Sequence, residues 1–159
     1  MGCLKNKYGI SLQLLVAGNC EQRQDYEDAI IQLGLSDSIK YLGFTNKLDE
    51  IRRESDIFLV TSKKEAFGLV TVEAMLSGCI VVGRASGGTA EIIDDGVNGF
   101  LYSPENIDEA CQKIMCIVNG EINISDIRTK AQKHAYDNYN ISRTCDEILH
   151  VYLDIIKEH

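Results

Sequence analysis

The chain has 159 residues, enough for one domain with a buried core, and residues 1–159 read as a single domain. With 16 basic against 24 acidic residues, a formal net charge of −8 and no Lys/Arg cluster, it argues against nucleic acid and anionic membrane surfaces as partners of this segment. Six cysteines (Cys3, Cys20, Cys79, Cys111, Cys116, Cys145) form no C-x-x-C pair, and the three histidines are remote from them in sequence. That pattern argues against a metal site or a disulfide framework and for free thiols in a reducing cytosol. No apolar run approaches the ~18 residues of a spanning helix. Gly2 and Cys3 are spaced as in an acylated terminus, but Asn6 stands where that signal has Ser or Thr, so chance is the better reading.

Short apolar runs alternate with longer helical patterns along the chain, which predicts α/β architecture with a parallel sheet and helices on both faces. LQLLVAG (12–18) reads as a buried strand closing on a Gly turn, and 21–33 as a helix stopped by Gly34. IKYLGF (39–44) is a second strand, and Asn46 is the candidate N-cap of a short helix to Glu54. IFLV (57–60) is a third strand, followed by a loop and a helix opening near Gly68, then by a strand at 80–83. A further helix opens near Thr89 after the Gly87–Gly88 pair, and DGVNG supplies turns around Val97. Ser103-Pro104 reads as a cap and first helical position, with that helix ending near Asn119-Gly120. Two more helices follow, over roughly 125–137 and 142–157, the last carrying an apolar stripe at Cys145, Ile148, Leu149, Tyr152, Leu153 and Ile156.

The stretch EAFGLVTVE (65–73) is the candidate site. A Gly-containing turn that leaves a buried strand and opens a helix offers free N–H groups and the positive end of the macrodipole to an anion. The carboxylates at its two ends suit neutral hydroxyls, because a carboxylate accepts two hydrogen bonds in a fork that matches a vicinal diol. Glu73 lies about 7 Å along the helix from Gly68 at 1.5 Å per residue, and Glu65 sits in the loop on the other side of the opening. A phosphate group with a sugar on each side satisfies all three features, which is the make-up of a nucleotide-sugar.

From about residue 12 onward the chain resembles the C-terminal, donor-binding half of a retaining glycosyltransferase of the GT-B fold, in the family-4-like group. Its Glu65 and Glu73 match that family's paired glutamates in spacing and flanks. LLVAG, YLGF, SDIFLVTS, GCIVVG, SGGTAEII and DGVNGFLYSPEN stand around them in the family's order. The resemblance implies a three-layer Rossmann-like sheet as one lobe of the GT-B fold. It also implies that Glu73 holds the donor ribose and that Glu65 faces the hexose as the catalytic-side residue. The backbone N–H groups of Phe67, Gly68, Leu69 and Val70 are expected to meet sugar or diphosphate oxygens. Gly18 and Phe44 end two strands at the ligand-binding carboxyl edge, although Phe44 serves equally well as core. Gly87 and Gly88 are either near the phosphates or a plain turn. Lys63, Lys64 and Arg84 flank the site as surface charges or phosphate contacts, and His134, His150 and His159 carry no assigned chemistry.

The chain departs from the family in two respects. Cys79 and Thr61 stand where the family usually has Pro, which is tolerable. The Arg and Lys that clamp the diphosphate in the family precede the LQLLVAG block, and Lys5 and Lys7 lack their flanking glycines and spacing. The expectation is therefore a donor-binding lobe without its acceptor-binding N-terminal half, inactive alone, from an enzyme moving a hexose from a UDP- or GDP-sugar to an acceptor hydroxyl with retention. Polysaccharide, glycolipid or glycoconjugate biosynthesis would be its setting, without metal or cofactor. It would be cytoplasmic, or at the inner membrane face for a full-length enzyme touching the membrane through its other half. The alternatives are a non-catalytic nucleotide-sugar-binding module, a subunit of a split enzyme, and an epimerase or phosphorylase relative on the same fold.

Overall fold

The computed structural model describes residues 1–19 and 23–157. Cys20, Glu21 (the expected start of the second-segment helix) and His159 lie outside the described residues. The chain forms two compact units, Met1–Ile51 and the remainder from Arg52, and the division falls within one short helix.

In the first unit, α1 (Gly2–Tyr8) precedes β1 (Leu14–Ala17), α2 (Arg23–Gln32), β2 (Ile39–Gly43) and α3 (Leu48–Arg53). Helix α1 is absent from the sequence reading. Gly9 ends it in the left-handed conformation at φ 67°, donating to Lys5 O, while Leu4 is buried. β1 and β2 pair in parallel, and the expectation of a buried first strand needs correction. Its residues alternate between half-buried and exposed, with Leu15 42% exposed and none fully buried. Asn46 is not the cap of α3. That helix starts two residues later, and Thr45 Oγ1 accepts the Lys47 N–H at 3.1 Å.

The second unit contains the main core. β3 (Ile57–Val60), β4 (Ile80–Arg84) and β5 (Phe100–Tyr102) form a parallel sheet in that order, with β4 in the middle. IVVG of β4 is fully buried, as an all-apolar central strand of a covered parallel sheet should be. α4 (Leu69–Leu76), α5 (Gly87–Ile92), α6 (Ile107–Val118), α7 (Ile124–Asn138) and α8 (Ile141–Lys157) follow the strands or close the chain. Val60, Val72, Ala74, Met75, Val81, Ile92, Ala131 and Ala135 form one buried cluster in which α4 and α7 pack on the sheet. Ala131 and Ala135, four apart, present small side chains where α7 meets α4, which lets the helices approach closely.

One further expectation changes in this unit, and one strand is added. β5 follows the DGVNG turns, whose shape is set by buried Asn98: its Oδ1 accepts Asp94 N–H at 2.8 Å and its amide donates to Ile92 O. Ser103-Pro104 does not open α6. Asn106 N–H donates to Ser103 O in a turn, and Asn106 itself caps the helix by accepting from Glu109 N–H. The apolar stripe of α8 is present, but no residue of the helix is buried. The architecture is α/β, with parallel sheets flanked by helices.

Candidate functional site

The loop after Val60 leaves the carboxyl end of β3 and enters α4 through Gly68, which caps the helix at φ 70°. Two constraints select glycine there. A side chain is strained at that φ, and a Cβ would lie 2.3 Å from Ile92 Cδ1. The neighbouring glycine pair of α5 presses on the same loop from behind. A Cβ on Gly87 would meet Glu65 O at 2.2 Å, and one on Gly88 would meet Phe67 C at 2.5 Å and Gly68 N at 2.7 Å. Gly88 N–H also donates to Glu65 O at 2.8 Å. Gly87 and Gly88 therefore back the loop 65–68. Below them, the buried hydroxyls of Thr71 and Thr89 join α4 to α5 at 3.2 Å.

The two glutamates differ in how they are held. Glu65 Oε1 accepts the Gly68 N–H at 3.2 Å, so this carboxylate turns back on its own loop and occupies one of the donors expected for a ligand. Glu73 projects from the second turn of α4 with a half-exposed side chain, and its Oε2 accepts from Nη2 of buried Arg52. The N–H groups of Leu69 and Val70 lie in the first turn of α4, where no carbonyl of the helix can satisfy them. Phe67 and Leu69 are exposed at 79% and 63%, so a ligand at this helix end also meets apolar surface.

In the first unit, Gly18 follows β1 at φ 119°. Its N–H donates to Gly43 O at 2.8 Å, and its carbonyl accepts the Tyr41 hydroxyl at 2.6 Å. Phe44 follows β2 and is 83% exposed, which excludes the core alternative for it. Lys63 and Lys64 are exposed, whereas Arg84 ends β4 partly covered, with a buried Nε that has no hydrogen-bond partner among the described residues. His134 and His150 sit on α7 and α8, away from the Glu65–Glu73 segment in the chain. Sequence reasoning missed Arg52 altogether. It lies 21 residues before Glu73, a separation that neither helical nor strand periodicity connects.

A parallel sheet whose edge strand β3 feeds a Gly-capped helix, with carboxylates on both sides of the cap, is the build of one lobe of a GT-B glycosyltransferase. The comparisons agree. Residues 2–137 match the family described as glycosyl transferases group 1. An uncharacterized glycosyltransferase of Methanocaldococcus jannaschii is 32% identical over 142 residues, covering 88% of this chain and 36% of that protein. The Anabaena protein HepE, solved with UDP, superposes at TM-score 0.82 with 30% identity, over 90% of this chain and 41% of that one. Another HepE structure holds UDP-glucose. The C-terminal domain of the group 1 family protein LpcC from Francisella tularensis shares the fold at TM-score 0.67 and 22% identity, covering 86% of this chain and 91% of that domain. This chain belongs to the glycosyl transferases group 1 family. It spans about two-fifths of the length of the full relatives it matches.

Proposed function

We propose that this chain is the donor-binding lobe of a retaining, metal-independent hexosyltransferase that takes a UDP- or GDP-sugar. The observation that carries the reading is the Gly68-capped helix with Glu65 before it and an anchored Glu73 within it. The N–H groups and dipole of α4 would face the diphosphate, Glu73 the ribose diol and Glu65 the hexose hydroxyls. The lobe's contribution is position and electrostatics rather than bond chemistry of its own. The UDP and UDP-glucose bound by HepE favour uridine among the two bases.

The unburied apolar stripe of α8 supports a lobe that acts within a larger enzyme or with a second subunit, over a self-sufficient module. On this reading the isolated chain transfers no sugar, and the enzyme serves polysaccharide or glycoconjugate synthesis. The thiols of Cys79, Cys116 and Cys145 support a cytoplasmic setting. Calorimetric titration of the chain with UDP, GDP and their hexose donors tests the proposal, beside Glu73→Ala. Binding of one nucleotide, weakened by the substitution, is the expected result. Absence of binding at millimolar nucleotide, or binding indifferent to Glu73→Ala, overturns it.

A further inference from the structure

We propose that Arg52 is the positioning residue for Glu73, fixing which carboxylate oxygen meets the ligand and thereby the preference for a nucleotide with an intact ribose diol. The inference rests on the donor-lobe reading above and deepens it.

The ion pair is asymmetric. Arg52 is buried, with 7% of its side chain exposed, whereas 51% of the Glu73 side chain is open to solvent. A guanidinium withdrawn from water needs a carboxylate, and a carboxylate left half in water spares its own desolvation and stays open to a ligand. Here the cation is the fixed member and the anion the presented one. Arg52 is fixed from several sides. Its carbonyl accepts the Cys79 Sγ–H at 3.0 Å, and its guanidinium lies 5.9 Å from the centre of the Phe58 ring on β3. Cys79 is itself fully buried immediately before β4. The anchor is therefore tied to the central strand and its neighbour.

The contact runs from Nη2 to Oε2, which leaves Oε1 as the oxygen that Arg52 does not engage. An unpaired glutamate on an exposed helix face spreads over many rotamers, and a ligand would have to freeze them. Arg52 freezes them beforehand, and its charge persists throughout the physiological pH range. A diol meeting Glu73 then finds an oriented acceptor. A sugar without hydroxyls gains nothing from that orientation. Selectivity, rather than general nucleotide affinity, is the property Arg52 should control.

The test compares the chain with Arg52→Gln, Arg52→Lys, Glu73→Ala and the Arg52→Gln/Glu73→Ala double variant. UDP and GDP are titrated beside their 2′,3′-dideoxy forms, and thermal unfolding is followed for each variant. We expect Arg52→Gln to weaken the ribonucleotide about tenfold or more, the weight of hydrogen bonds to a charged acceptor. The dideoxy form should change by less than twofold, the double variant should be no weaker than Glu73→Ala alone, and Arg52→Lys should recover part of the loss. If Arg52→Gln does not fold, the lysine variant carries the same comparison. Equal weakening of both ligands, or additive losses in the double variant, assigns Arg52 a purely structural role and overturns the inference. A starting chain that binds nucleotide but ignores the diol overturns it too, and leaves the donor lobe standing only where Glu73→Ala still weakens the nucleotide. A chain that binds no nucleotide overturns the donor-lobe reading and this inference with it.

Discussion

A single methyl group separates two states of the loop that carries Glu65. At Gly88 a Cβ would sit 2.5 Å from Phe67 C and 2.7 Å from Gly68 N, both backbone atoms that cannot rotate aside. Gly88→Ala must therefore push the 65–68 loop away or strain α5, at a cost of about 1–3 kcal/mol. Urea unfolding should show that loss, and a nucleotide-sugar should lose more affinity than the nucleotide alone, since Glu65 moves with the loop. An alanine variant of unchanged stability would contradict the close packing. A second residue-scale effect is alkaline. Burial pushes the Cys79 thiol above its ordinary 9.0 and the Tyr102 hydroxyl above 10.0. Both groups ionise more readily in the unfolded chain, so their contribution to stability is complete below pH 9.0 and is lost as pH rises through the folded-state values. Unfolding midpoints measured from pH 7 to 11 should fall on the alkaline side, less steeply for Cys79→Ala. Within the site, the glutamate pair and the Gly68 turn were legible because residue type and short spacing encode them. Arg52 was not, since its partner is reached only after the chain has passed through β3 and the loop.

At the scale of elements, legibility followed length and apolar periodicity. β3 was placed at its observed bounds, and β2, β4, α4 and α7 within a residue or two, because each is a continuous apolar run or a clear helical pattern. β5 is three residues between turns, and α1 one short helix among lysines, too little in either case for periodicity to register. The Ser103-Pro104 cap failed for a different reason. Asn106 competes for the same role and can reach Glu109 N–H, so the Ser-Pro step closes a turn one residue pair earlier. Asn106→Ala should therefore cost about 1 kcal/mol and Ser103→Ala much less, read by the midpoint of denaturant unfolding. The core makes a larger claim. Met75 is wholly buried between the sheet and α7, in one cluster with Val81, Ala131 and Ala135. Met75→Ala should lose about 2–5 kcal/mol, and a loss below 1 would mean that α4 and α7 are not packed as described.

At the scale of the molecule, the central strand and the last helix of the second unit differ in what holds them. β4 is buried along IVVG, while every described residue of α8 is exposed, including Ile148, Leu149, Tyr152, Leu153 and Ile156. An isolated helix of this length is marginal in water, because nucleation is costly and propensity alone barely repays it. The ion pairs Arg143–Glu147 and Lys157–Asp154 help by a few tenths of a kcal/mol each, which does not replace packing. The helix in solution therefore depends on whatever covers its apolar stripe, and in the chain alone nothing described does so. Native-state hydrogen exchange separates these regimes residue by residue. Amides of residues 141–157 should exchange near the rate of an unprotected chain, while those of Val81 and Val82 should open only with global unfolding. Removal of residues 141–157 should then shift the unfolding midpoint of the remainder little, since no buried contact is lost with them. Strong protection across α8 in dilute samples would mean that the stripe is covered, and protection that grows with protein concentration would identify the cover as a second copy of the chain.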